Sequence, residues 1–118
     1  MAIYSRILLS GSANGRPIPV AATATPGTLV HTAIAATNGS DEVYVWASNV
    51  TASPATLTIE FGGAAAPGDH IVHEVSIPAN SEPIPIAMGQ NVNGGVAVRA
   101  FSGTAGAINL TGFVNRIS

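Results

Sequence analysis

Asp41-Glu42-Val43-Tyr44-Val45-Trp46-Ala47-Ser48 is the stretch that decides the fold class. In an extended chain, Val43, Val45 and Ala47 fall on one face, and Tyr44, Trp46 and Ser48 on the other. No 3.6-residue period fits the same letters, and β-branched and aromatic residues dominate them. The stretch is therefore a half-buried strand.

The same alternation recurs downstream. In 55–61, Leu57, Ile59 and Phe61 oppose Thr56, Thr58 and Glu60. In 95–102, Val96, Val98 and Ala100 oppose Ala97, Arg99 and Phe101, and in 107–114, Ile108, Leu110 and Val114 oppose Asn109, Thr111 and Phe113. Residues 3–9, 28–35, 70–77 and 83–88 complete the candidate strands. Turn chemistry separates them: Asn14-Gly15, Asn38-Gly39, Gly62-Gly63, Pro67-Gly68 and Asn93-Gly94-Gly95. About eight short strands with such punctuation predict an all-β protein, an antiparallel β-sandwich or jelly roll. Sandwich cores favour the aliphatic face, which puts Val43, Val45, Leu57, Ile59, Val96, Val98, Ile108 and Leu110 inside. Trp46 then lies at a rim or an interface, where its indole N–H finds a partner.

The chain is one domain long, with a distinct beginning. Residues 10–27 run through Ser-Gly-Ser-Ala-Asn-Gly, then Pro17 and Pro19, then Ala and Thr up to Pro26-Gly27. Proline cannot donate to a ladder and favours edges or extended arms. The expected organisation is an extended N-terminal segment over 1–27 and a β-sandwich domain over 28–118. Part of that segment, including Arg16, Pro17, Ile18 and Pro19, is expected to lie along a neighbouring molecule.

Charge is scarce. Four arginines and six carboxylates make up 8% of 118 residues, and lysine is absent; ordinary domains carry about 25%. Charges keep monomers soluble and apart. Their scarcity implies a surface covered by other protein, hence a homo-oligomer. Four dispersed arginines and a net charge of -2 do not make a nucleic-acid patch. Without cysteine there is no disulfide or thiolate chemistry, which fits synthesis in a reducing cytoplasm. The apolar run at Ile7-Leu8-Leu9 is too short for a signal-peptide core, and no stretch approaches the ~20 apolar residues of a spanning helix. No membrane partner is expected.

Reaction chemistry is equally thin. Asp69-His70-Ile71-Val72-His73-Glu74 is the one cluster of metal-ligand types. On a regular strand, His70 and His73 are three apart and point to opposite faces, so no metal site and no cofactor are expected. His31 reads as a hydrogen-bonded strand residue. No Gly-x-Ser-x-Gly elbow occurs, and a phosphate loop with lysine is impossible. Glu60 and Arg99, isolated in their strands, either pair across strands or face water. The chain reads as a non-enzyme. Tyr44 and Trp46 share a strand face and are the best candidates for an interface.

Several segments together carry a resemblance. They are Ile7-Leu8-Leu9-Ser10-Gly11-Ser12, Asn14-Gly15-Arg16-Pro17-Ile18, Ala22-Thr23-Ala24-Thr25-Pro26-Gly27 and His31-Thr32-Ala33. Asp41 to Ala47, Thr58-Ile59-Glu60-Phe61-Gly62-Gly63 and the closing Phe113-Val114-Asn115-Arg116-Ile117 follow. In these the chain resembles the small all-β virion proteins of tailed bacteriophages, especially capsid decoration (cement) proteins. The resemblance implies a trimer seated on the capsid exterior where major capsid proteins meet, stabilising capsomer contacts. It transfers no catalytic residue. The alternative function is a carbohydrate-binding or tail and baseplate β-sandwich module.

Overall fold

The computed structural model describes residues 2–118. Among the described residues nine strands form: β1 (Tyr4–Leu8), β2 (Ile18–Pro19), β3 (Thr28–Thr32), β4 (Ser40–Asn49), β5 (Ala55–Phe61), β6 (His70–Ile77), β7 (Ile84–Val92), β8 (Ala97–Ser102) and β9 (Ile108–Ile117). One sheet has the order β1-β9-β4-β7, with β2 also pairing β9; the other has the order β3-β8-β5-β6. Every pairing is antiparallel. The two sheets pack as an all-β sandwich.

With the two-residue β2 set aside, the pairing is nested. β1 pairs β9, β3 pairs β8, β4 pairs β7 and β5 pairs β6, alternating between the sheets. Each strand therefore needs one apolar face, and the alternation supplies it. β4 is buried at every second residue along its whole length. Val43, Val45, Leu57, Ile59, Val98, Ile108 and Leu110 are buried as the period-two pattern predicts. Val96 is not among them. It precedes β8 and is only half-buried, because the ladder begins one residue later.

The N-terminal segment differs from its sequence reading. It is not a separate arm: β1 and β2 both pair with β9, and Leu9, Ile18 and Val20 are buried in the core. Pro17 and Pro19 are tolerated because β2 is an edge strand. Val20 N–H donates to Ile108 O at 2.9 Å, so by alternation Ile18 also faces β9 while the Pro19 nitrogen points away from it. Residue 27 marks no structural boundary. Gly27 is buried against the Ala100 main chain, where a Cβ would collide.

Candidate functional site

The outer face of the β1-β9-β4-β7 sheet carries the densest group of aromatic side chains. Register sets Leu8, Phe113, Tyr44 and Met88 in one row across four strands, and Thr111, Trp46 and Pro85 in the next. The Tyr44 and Phe113 rings stack at 4.8 Å between centres, tilted by only 14°. Trp46 lies 6.0 Å from Phe113. The Arg6 guanidinium sits over the other side of the platform, 4.3 Å from the Phe113 ring centre. Phe113 is thus the hub, touched by a cation and two rings. Tyr4, Leu8 and Met88 flank it at 75%, 54% and 43% exposure. Backbone shape helps: Gly89, at φ +92, leaves room for the Tyr44 phenol, and a Cβ there would approach its oxygen at 3.1 Å.

Tyr44 and Trp46 were readable from alternation. Phe113 lies on the polar-facing side of its strand by the same alternation, so its parity carried the signal; only the register shows that it meets Tyr44. Arg6 carried no such signal, because its contact depends on β1 lying beside β9. The other interface candidates lie elsewhere. Arg16, Pro17 and Pro19 are exposed beside a shallow hollow formed with Gly11, Ser12 and Ala13. Ile18 is a core residue, facing Leu110 across the β2–β9 pair.

The opposite-face expectation for His70 and His73 fails. β6 slips register against β5 on both sides of Ile59, and Glu74 adopts φ 49. These bulges break the alternation and bring the two rings together, with Nδ1 atoms 2.9 Å apart and ring centres 5.1 Å apart. Those distances place the rings edge to edge, sharing one N–H···N hydrogen bond. Asp69 is committed elsewhere, accepting from the Ala65 N–H at 2.9 Å.

Ser10, His31 and Asp41 also converge, but as structural groups. The Ser10 main-chain N–H, not its hydroxyl, donates to His31 Nδ1 at 3.0 Å. Nε2–H therefore donates to Asp41 Oδ2 at 2.7 Å. The Ser10 hydroxyl accepts from Thr32 N–H at 2.6 Å. With the ring wholly buried and its free nitrogen occupied, it cannot take a proton from that serine. Burial raises the Asp41 carboxyl, but hydrogen bonds from Arg116, His31 and the Ile34 N–H outweigh it and hold the pKa below the usual value. Glu60 stands opposite Arg99 in the β5–β8 register, but its carboxylate binds other groups and does not face water. It is fully buried and accepts from Thr25 Oγ1 and from Gly27 N–H, the latter at 2.7 Å. Arg99 instead donates to Gly27 O at 3.3 Å.

No protein-family model, curated protein or solved structure matches the chain.

Proposed function

We propose that this chain is a structural, non-enzymatic virion module of the capsid-decoration kind. It seats the outer face of the β1-β9-β4-β7 sheet on the major capsid protein, on the exterior of the particle. The observation that supports this reading most is the Arg6–Phe113–Tyr44–Trp46 cluster. Rigid aromatic side chains lose little entropy on contact, and Trp, Tyr and Arg dominate binding energy at protein interfaces. The low charge of the chain agrees with a surface meant to be covered. The nested strand pairing supports a jelly-roll winding, a fold frequent in viral capsid proteins. Several weak contacts made at once by a multivalent particle would give the hold.

The same platform supports a second reading, a carbohydrate-binding module, since jelly rolls also occur in lectins. A sugar would stack on the rings and hydrogen-bond to Asn115, Glu42 or Thr111 beside them. One pair of experiments separates the two. Labelled protein is added to virions purified from the source of the sequence, and to a glycan array. Decoration of the capsid exterior, lost in Trp46→Ala and Phe113→Ala, supports the first reading. Binding to glycans with bare capsids overturns it in favour of the second.

A further inference from the structure

A sheet edge exposes unpaired main-chain groups and invites another strand, so proteins blunt their edges with proline, bulges, charges or covering loops. Three of the four edges here are blunted. β7 carries Pro85 and two register shifts. β6 carries two bulges with Glu74 at positive φ. β3 is covered by residues 10–12: Gly11 N–H donates to Val30 O at 2.9 Å, and Thr32 N–H donates to Ser10 Oγ.

Among the described residues β1 has no proline, bulge or covering loop. Its register runs unbroken from Tyr4↔Ile117 to Leu8↔Phe113. It holds no proline or glycine and a single charge, Arg6. Ile3 and Ser118 exchange both of their hydrogen bonds, at 2.8 and 2.9 Å. Bonded and non-bonded pairs alternate along an antiparallel ladder. Ser5 and Ile7 therefore also spend their groups on β9, while the N–H and C=O of Tyr4, Arg6 and Leu8 point outward. Ile3, Tyr4 and Leu8, all more than half exposed, put apolar surface along the same edge.

We propose that β1 pairs antiparallel with β1 of a second copy, joining two β1-β9-β4-β7 sheets into one. Among the described residues each copy has one bare edge, so the pairing is β1 to β1 about a two-fold axis and closes as a dimer, in place of the trimer that the resemblance implies. The register follows from the side chains. Centring on Arg6 sets two guanidiniums directly opposite, which opposes pairing. Centring on Ile7 pairs only Arg6 with Leu8, because the chain turns into the core at Leu9. Centring on Ser5 places Tyr4 of each copy opposite Arg6 of the other and Leu8 opposite Ala2, just before the start of β1, so the outward groups of Tyr4, Arg6 and Leu8 all face the other chain. Tyr4 and Arg6 line a hollow with Glu42 and Asn115, which gives the incoming phenol polar neighbours. The joined sheet carries both aromatic platforms on one side. This dimer does not depend on the identity of the capsid partner.

The chain has no cysteine, so one introduced thiol reports the contact. In this register Ser5 faces its own copy as a non-bonded pair, at about 4.5 Å between Cα atoms, within reach of a disulfide. Ser5→Cys, mildly oxidised at micromolar concentration, is expected to run mainly as a covalent species of twice 11.8 kDa. Ser76→Cys, exposed on β6, is expected to remain monomeric under the same conditions. The parent chain is expected to sediment as a dimer. Tyr4→Pro, which removes an outward N–H and the phenol but no hydrogen bond to β9, is expected to sediment as a monomer with unchanged β-sheet circular dichroism. Cross-linking of Ser5→Cys no faster than Ser76→Cys overturns the proposal, as does a parent chain that sediments as a monomer or trimer. Preferential cross-linking of Ile7→Cys over Ser5→Cys overturns the register. Loss of capsid binding in Trp46→Ala with Ser5→Cys cross-linking intact leaves the dimer standing on its own.

Discussion

The Arg116 guanidinium grips the Asp41 carboxylate with two parallel hydrogen bonds, Nε to Oδ1 at 2.8 Å and Nη2 to Oδ2 at 2.9 Å. The two residues sit opposite one another in the β4–β9 register. Asp41 Oδ2 also accepts from His31 at the end of β3 and from Ile34 N–H. One buried carboxylate thus ties a strand of one sheet to a strand of the other and to the loop between them. Asp41→Asn removes the bidentate charge contact and leaves Arg116 half-satisfied. It is expected to lower stability at pH 7 by about 3 kcal/mol, read from urea denaturation. A loss under about 1 kcal/mol would mean that the pair behaves as a surface ion pair.

Acid should release the same tie. Asp41 is held below its ordinary pKa by Arg116, His31 and the Ile34 N–H. Its contribution is therefore fully present above the unfolded value, about 3.9, and disappears as pH falls through the lower folded value. The stability gap between the parent chain and Asp41→Asn is expected to stay constant from pH 7 to pH 5 and to shrink below about pH 4. A gap that closes already near pH 6 would show that a group other than Asp41 controls the tie.

Trp46→Ala tests which face works. Trp46 is half-buried on the outer face, beside Phe113, while Val45 next to it is in the core. The substitution is expected to cost partner binding about 2 kcal/mol or more and to leave the melting transition within a few degrees of the parent. Leu110→Ala, wholly buried, is expected to do the reverse, costing about 2–5 kcal/mol of stability. Similar melting losses for both would place Trp46 in the core.

Glu60 clamps the turn at Thr25 and Gly27 onto the outer face of the second sheet. Glu60→Ala leaves the Gly27 N–H without its acceptor and opens a void. A loss of about 2–3 kcal/mol is expected, with faster amide exchange confined to residues 22–28. Unchanged exchange at Gly27 would show that the turn holds without the carboxylate.

Gly112 allows β9 to lie against β4. A Cβ there would run into the Tyr44 carbonyl. Gly112→Ala is expected to destabilise by about 1–3 kcal/mol and to disturb the Tyr44–Phe113 stack, seen as a change in near-ultraviolet circular dichroism. An unaltered aromatic signal would show that the sheet absorbs the methyl group without moving the platform.

Alternation over a few residues is a local property, so the strands and the buried faces of β4, β5 and β9 could be read directly from the letters. So could the outward placement of Tyr44 and Trp46, because parity alone decides it once the aliphatic face turns inward. Register, bulges and long-range pairing are not local. They decided that Phe113 meets Tyr44 and Arg6, that slipped residues in β6 bring His70 to His73, and that Glu60 is buried under a turn more than thirty residues away. They also decided the fate of residues 2–27. Their prolines favour an extended segment, but β9 offers a free edge and the sandwich has room for Leu9, Ile18 and Val20; burying those side chains draws the segment into the sheet.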